Sequence, residues 1–74
     1  MRWEDTEVTD ENSFVIRLLH EKNELYCRMT LLNRFNHSDK FLELSEEEQV
    51  LLLEQHRAMQ KYYGILNKRC ALYA

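Results

Sequence analysis

Adjacent pairs of apolar residues recur every seven positions through the second half of the sequence. The pairs are Leu51/Leu52, Ala58/Met59, Ile65/Leu66 and Leu72/Tyr73. Seven residues complete about two turns of an α-helix, so the pairs return to nearly the same side of it. Ser45 followed by three glutamates is a capping-box sequence that begins such a helix. We therefore predict a long helix over about residues 46–72, in which Gly64, a weak helix former, marks the close approach of another backbone.

A second helical period runs through the first half of the chain. Its apolar residues follow alternating three- and four-residue steps, and Lys22 takes one interior step. They are Val15, Leu18, Leu25, Met29 and Leu32, with Leu19 and Tyr26 widening the stripe. The cluster of Thr9, Asp10 and Glu11 offers an N-cap and an acidic first turn. These features predict a helix over about residues 10–36.

Opposite charges lie one helical turn apart on another side of this first helix. Arg17 precedes Glu21 by four residues, and Glu24 precedes Arg28 by four. Pairs of this kind contribute a few tenths of a kcal/mol each on an exposed helix. We expect them to form a solvated face of the helix.

A short polar break at residues 36–39 separates the two helical periods. Phe41, Leu42 and Leu44 restore apolar character after the break, which predicts a short helical turn. One glycine and no proline leave too few turn residues for a sandwich, a barrel or a Rossmann unit. We therefore predict an all-α fold, an antiparallel two-helix hairpin with a short helical turn between the helices.

A chain of 74 residues forms one small domain, residues 1–74, with an acidic N-terminal arm at residues 1–9. A hairpin of this size leaves much of its two apolar stripes uncovered, and uncovered apolar surface is typical of subunit contacts. We therefore predict a homo-oligomeric helical bundle built from dimers. The residues predicted to form the oligomer interface are Leu52, Gln55, Met59, Leu66 and Tyr73.

The charge balance excludes some classes of partner. Ten basic against thirteen acidic side chains give a net charge of -3, the wrong sign for binding a long nucleic acid through its phosphates. No apolar run approaches the roughly 20 residues that cross a bilayer, so we expect no membrane contact. The acidic N-terminus does not resemble a signal peptide, and we expect a cytoplasmic protein.

The sequence contains no grouping typical of an enzyme or a metal site. Cys27 and Cys70, together with His20, His37 and His56, lack the paired spacing of zinc ligands. No nucleophile and base stand at a spacing that indicates a catalytic triad, and a two-helix hairpin encloses no pocket of its own. We therefore predict a protein that is not an enzyme and carries no metal or other cofactor.

Aromatic and basic residues are interleaved near the end of the second helix. Tyr62 supplies a ring for stacking on a base, and neighbouring cations supply ligands for phosphate. The candidate phosphate ligands are Arg17, Arg57, Lys61 and Arg69. The same residues also fit a structural role, in which Tyr62 packs between helices and Arg69 forms an ion pair with Glu7 or Glu11.

One further pattern runs through both helices. It consists of Arg17-Leu18-Leu19-His20-Glu21-Lys22-Asn23-Glu24-Leu25, Met29, Leu32, Phe35, Phe41, Leu44, Glu48-Gln49, Leu52, Gln55, Ala58-Met59, Tyr62, Ile65-Leu66 and Arg69. Over about residues 14–72 this pattern resembles a family of small phage and prophage proteins. The hairpin is similar to the one in the sponge proteins that counter CBASS and Thoeris immunity.

The resemblance implies a phage anti-defence protein that acts in the cytoplasm of the host cell. Such sponges are helical homo-oligomers, often hexamers, that hold host cyclic nucleotide signals in pockets between subunits without cleaving them. This chain is little more than the hairpin, so the ligand residues of larger sponges are not carried over by position. The candidate ligands named above rest on side-chain chemistry instead.

Two other functions fit the same sequence. An amphipathic surface with an acidic N-terminus fits an interaction protein that inhibits a host protein, with DNA mimicry as one variant. The acidic residues in question are Glu4, Asp5, Glu7, Asp10 and Glu11. The chain also fits a structural or accessory protein of phage assembly.

Overall fold

The computed structural model describes residues 13–73, and these residues form three helices. Helix α1 is Ser13–Asn36, α2 is Asp39–Leu42 and α3 is Glu46–Ala71. The two predicted long helices and the helical turn between them are confirmed. The predicted start of the first helix at about residue 10, with its cap, and the arm at residues 1–9 lie outside the described residues.

Serine caps define where the chain leaves one helix and enters the next. Ser45 Oγ accepts a hydrogen bond of 3.2 Å from the backbone N–H of Glu48, as the capping-box sequence predicts. Ser38 Oγ accepts in the same way from the N–H of Phe41 at 3.3 Å, which begins α2. Gln49 then donates from its side-chain amide to the carbonyl of Leu44 at 3.0 Å. These bonds hold the link against the start of α3.

The two long helices pack side by side in opposite directions. At the open end Phe14 of α1 meets Tyr73 edge to face, with ring centroids 5.0 Å apart. Nearer the link, the rings of Tyr26 and Tyr63 lie 5.7 Å apart. The start of α1 therefore lies beside the end of α3, which confirms the antiparallel hairpin. The assembly of several such hairpins into a bundle stays a prediction.

The hairpin has a small apolar core along the contact between α1 and α3. Leu18 and Leu25 of α1 are buried against Leu66 of α3, and half-buried side chains close the core around them. Those half-buried side chains are Met29, Met59, Tyr63 and Cys70. Leu66 is 0% exposed, so it packs in the core of the hairpin and leaves no surface for a second chain. The prediction that Leu66 lies in an oligomer interface is therefore wrong for this hairpin.

The structure divides each of the heptad pairs on α3 between two sides of the helix. The second members turn toward α1: Leu66 is buried, and Leu52 and Met59 are half-buried. The first members stay exposed, with Leu51 55%, Ile65 49% and Leu72 77% accessible. We call these exposed first members the outer stripe. The outer stripe is Leu51, Ala58, Ile65 and Leu72.

Gly64 is the one glycine of the chain and lies in the interior of α3. A Cβ atom built on it meets no atom within 4 Å, and its φ angle is not positive. No other backbone of the described hairpin approaches Gly64 closely. The prediction of a close approach there is wrong within one chain, because α1 packs on another side of α3.

Candidate ligand-binding face

A hydrogen bond between side chains joins the two long helices on one side of the hairpin. Tyr62 Oη of α3 donates to Glu21 Oε2 of α1. The two residues lie at similar distances along the chain from the link, which is why an antiparallel hairpin brings them together. We call this side of the hairpin the Tyr62 face, defined by Arg17, Glu21, Tyr62 and Arg69.

Two arginines lie beyond the hydrogen bond on this face, both toward the open end of the hairpin. Arg69 follows Tyr62 by seven residues and therefore lies on the same side of α3, near enough for its charge to act on the Tyr62 hydroxyl. Arg17 precedes Glu21 by one helical turn on α1. Both arginines are exposed, and neither lies within 4 Å of a carboxylate in the described part of the chain. Among residues 13–73, their guanidinium groups therefore have no competing carboxylate.

The pKa of Tyr62 is raised from its ordinary value of 10.0. The largest cause is the hydrogen bond to Glu21, followed by partial desolvation and by the negative charge of Glu21, while the charge of Arg69 opposes the shift. Tyr62 is therefore a neutral phenol at physiological pH and serves as a hydrogen-bond donor. The Glu21 carboxylate repels a phosphate, so Arg17 and Arg69 must supply the attraction on this face.

The hairpin does not bring all five predicted ligand residues together. Arg57 precedes Leu66 by nine residues, which places it about half a turn round α3, on the side opposite the core. Lys61 precedes Leu66 by five residues and lies roughly 140° round the helix. Both are exposed. One chain therefore presents two separate groups, Arg17 with Tyr62 and Arg69 on the Tyr62 face, and Arg57 with Lys61 on the outer side of α3.

Of the open grooves on the described part of the chain, three lie between the helices or along α3 beside the link. The largest, about 400 Å³, lies along the start of α3 and includes the predicted interface residues Leu52 and Gln55 with Leu51. A second of about 360 Å³ at the open end includes Tyr73 with Leu19 and Cys70. The third, of about 260 Å³, lies mid-hairpin. The candidate phosphate ligands line none of these three grooves, and each groove is open to solvent.

The charge pairs predicted on α1 take other partners. Glu21 accepts from Tyr62 of α3, and Glu24 lies 3.3 Å from His20 Nε2, one turn earlier on the same helix. Within residues 13–73, Arg17–Glu21 and Glu24–Arg28 are not ion pairs, and all four side chains are exposed, which confirms the predicted solvated face. The spacing of the charges is the same for both i,i+4 pairs. The position of α3 beside α1 decided that Glu21 accepts a hydrogen bond from Tyr62.

The described residues form neither a metal site nor a membrane-spanning helix. Across residues 13–73, no three His, Cys, Asp or Glu side chains converge in a way that could hold a metal ion. Cys27 and Cys70 are free thiols, the first exposed and the second half-buried. No described helix combines the length and apolar character that crossing a membrane requires.

A family of proteins described as Sequestin has a family model that matches residues 12–72 of this chain. The chain belongs to the Sequestin family. The matched range includes the Tyr62 face and the outer stripe. Family membership confirms the resemblance to small phage helical proteins that the sequence pattern indicated.

One curated relative of this chain is a small phage protein. This Sequestin-family chain is 37% identical over 59 residues to an uncharacterized 7.5 kDa protein in the denB–rIIB intergenic region of Enterobacteria phage T4. The alignment covers 80% of this chain and 92% of the phage protein. No solved structure matches the chain.

Proposed function

We propose that this chain is a phage anti-defence protein that binds and sequesters host cyclic oligonucleotide immune signals, or related signalling nucleotides. The nucleotide is held without being cleaved, in pockets between subunits of a homo-oligomer in the host cytoplasm. Membership of the Sequestin family over residues 12–72 supports a sequestering role. The observation that carries the nucleotide assignment is the Tyr62 face, where an exposed aromatic ring shares one side of the hairpin with Arg17 and Arg69, which have no carboxylate partner among residues 13–73.

The chemistry of the Tyr62 face suits a nucleotide in two respects. Guanidinium groups bind phosphate oxygens through two parallel hydrogen bonds, which Arg17 and Arg69 can provide from the open-end part of the face. An aromatic ring stacks on a base of any identity, which Tyr62 can provide on the side of these arginines nearer the link. The Glu21 carboxylate orients the Tyr62 hydroxyl by accepting a hydrogen bond from it.

Enclosure of the ligand requires a second subunit. The grooves of one hairpin are open to solvent, whereas tight small-molecule sites bury most of the ligand surface. Arg57 and Lys61, which one chain places away from the Tyr62 face, are free to contribute from a neighbouring copy. The proposal therefore combines cations from more than one chain around one ligand. Sequestration itself requires binding alone and no catalytic group.

The test is a binding measurement with a panel of cyclic di- and trinucleotides, followed by thermal denaturation and calorimetry. A nucleotide present at 100 times its dissociation constant adds roughly 2.7 kcal/mol to stability, so a true ligand raises the melting temperature. Arg69→Ala and Arg17→Ala are expected to weaken binding at least tenfold. Arg34→Ala, an exposed arginine at the end of α1 near the link, is the matched control and is expected to bind as the parent does.

Two results separate sequestration from its competitors. Ligand released by denaturing the complex should be chemically intact, because the proposal includes no cleavage. If no member of the panel raises the melting temperature, the nucleotide assignment is wrong. The alternative is an inhibitor of a host protein, which the exposed apolar outer stripe favours. That alternative predicts a complex with one host protein that is lost when the acids at positions 4, 5, 7, 10 and 11 are neutralised.

A further inference from the structure

The outer stripe is an apolar surface that the hairpin does not use. Counted at 3.6 residues per turn, its members lie about a quarter turn round α3 from the buried Leu66. Leu51, Ile65 and Leu72 are each about half exposed or more, and Ala58 between them is exposed. One member stands in every heptad of α3. A row of this kind fits a second helix packed along its length.

Charges on the outer flank of the stripe indicate which helix that is. Glu54, Lys61 and Lys68 are seven residues apart and follow the stripe on the side away from the core. All three are exposed, and none of them is in an ion pair with a carboxylate or cation among residues 13–73. Glu54 and Lys68 stand at equal distances on either side of Lys61. The flank therefore has opposite charges at its two ends.

This order of charges is complementary to the same row of charges running in the opposite direction. A second α3 laid antiparallel on the first places Glu54 of each copy beside Lys68 of the other, giving two such pairs by symmetry. A parallel copy places glutamate beside glutamate and lysine beside lysine. Like charges at flanking positions oppose that orientation, and opposite charges favour the other. The charges at the two ends of α3 also favour the antiparallel orientation, because its first turn is acidic and its last turn is basic.

We infer that a second copy of this chain packs antiparallel along the outer stripe, about a two-fold axis that passes between Ala58 and Ile65. In this register Leu51 of one copy lies opposite Leu72 of the other, and the small Ala58 lies opposite the larger Ile65. The same patch contacts itself on both copies, which is the property of an interface that closes as a dimer. The interface residues are then the exposed first members of the heptad pairs.

The register has a consequence for the ligand site. Lys61 and Tyr62 stand next to the axis on opposite flanks of the outer stripe, so the dimer pairs the two lysines on one side of the contact and the two tyrosines on the other. Two lysine charges near each other attract an anion. A cyclic nucleotide with two phosphates matches the two-fold symmetry of the lysine pair. This part deepens the proposed function and rests on it, whereas the contact between copies is measured without any nucleotide.

The first experiment is the molar mass of the purified protein in solution, determined by light scattering across a range of concentrations. The parent is expected to have the mass of a dimer or of a multiple of a dimer. Ile65→Glu places a charge in the outer stripe and is expected to reduce the mass to that of smaller species. Leu53→Glu is the control, because Leu53 is 48% exposed on the same helix but lies well away from the stripe. Circular dichroism confirms that both variants keep the helical hairpin.

The second experiment determines the orientation of the two copies. In a chain whose native cysteines are replaced by serine, Lys61→Cys is expected to form a disulfide between copies on mild oxidation. Lys68→Cys is the matched control, since an antiparallel register separates the two copies of position 68 by about 20 Å. Disulfides require Cα atoms within roughly 7 Å. A parallel dimer would instead cross-link at both positions.

The third experiment exchanges the flanking charges. Glu54→Lys and Lys68→Glu are each expected to weaken dimerisation about two- to fivefold, and the double variant is expected to restore it. The inference is overturned by a monomeric parent, by an Ile65→Glu variant with the parent's mass, or by equal cross-linking at positions 61 and 68. Nucleotide binding by a protein that fails these tests would leave the proposed function standing, and a dimer that binds no nucleotide would leave the interface standing.

Discussion

Tyr62 of α3 donates a hydrogen bond to the Glu21 carboxylate of α1, so a residue predicted to stack on a ligand also ties the two helices together. The bond joins positions that are 41 residues apart in the chain. It places the Glu21 carboxylate against the Tyr62 hydroxyl, whose pKa Glu21 raises and the charge of Arg69 lowers. A ligand bound here therefore meets a hydroxyl whose orientation is already fixed.

Removing this bond should change how stability depends on pH. The pKa of Tyr62 is raised above 10.0 in the folded chain, chiefly by the Glu21 hydrogen bond. A raised pKa means that the folded state holds the proton more tightly, so the stabilisation is present below pH 10.0 and is lost as the pH rises through the folded value. The difference in melting temperature between the parent and Tyr62→Phe should be constant near neutral pH and shrink in alkali. A difference that grows above pH 10.0 would contradict this account.

Leu66→Ala should be among the most damaging single substitutions in the hairpin. Leu66 is the fully buried side chain at the centre of the α1–α3 contact. Truncating a buried leucine costs about 2–5 kcal/mol, a large part of the stability of a small domain. Urea denaturation followed by circular dichroism measures the loss. Leu42→Ala is the control, because Leu42 is exposed near the link, and its midpoint should stay close to that of the parent.

The cap of α3 can be tested with one substitution and its rescue. Ser45→Ala removes the oxygen that accepts from the Glu48 N–H, and the expected loss is about 1 kcal/mol. Ser45→Asp keeps an acceptor at the same place and should retain most of the parent's stability. Chemical denaturation of the three proteins side by side provides the comparison. Equal losses for both variants would show that the hydrogen bond is not what Ser45 contributes.

Gly64→Ala should stabilise the protein. Gly64 lies inside α3 with open space where a Cβ would stand, and alanine adopts the helical conformation more readily. The expected gain is about 0.5–1 kcal/mol, seen as a higher urea midpoint with an unchanged slope. The molar mass should be unchanged, because Gly64 lies away from the outer stripe. A loss of stability would indicate that a neighbouring chain contacts Gly64 after all.

Much of the local structure follows from sequence alone. Ser45 and the three glutamates after it fix the start of α3, and the polar break before Phe41 fixes the turn. The physical reason is that caps and helical period depend on residues within one or two turns of each other. Antiparallel order also follows, since a short link allows the two helices no other packing.

The identity of the core side of α3 was decided by tertiary structure. The heptad pairs place two apolar rows about 100° apart on one helix, and the period is the same for both. Packing against Leu18 and Leu25 of α1 buries the row that contains Leu66 and leaves the row that contains Ile65 exposed. A heptad repeat does not distinguish a contact with α1 from a contact with another subunit. The sequence therefore predicted Leu66 in a subunit interface.

The same distinction applies to the candidate site. The sequence by itself determined that the end of α3 carries an aromatic ring among cations and that the acids precede it. The helical period alone places Tyr62 and Arg69 on one face of α3, and only the folded hairpin decided that Leu66 faces α1 and that Glu21 of α1 accepts from Tyr62. Those contacts join residues distant in the chain. They depend on how α1 and α3 are rotated about their axes. That rotation is determined by the packing along both helices and not by any local sequence pattern.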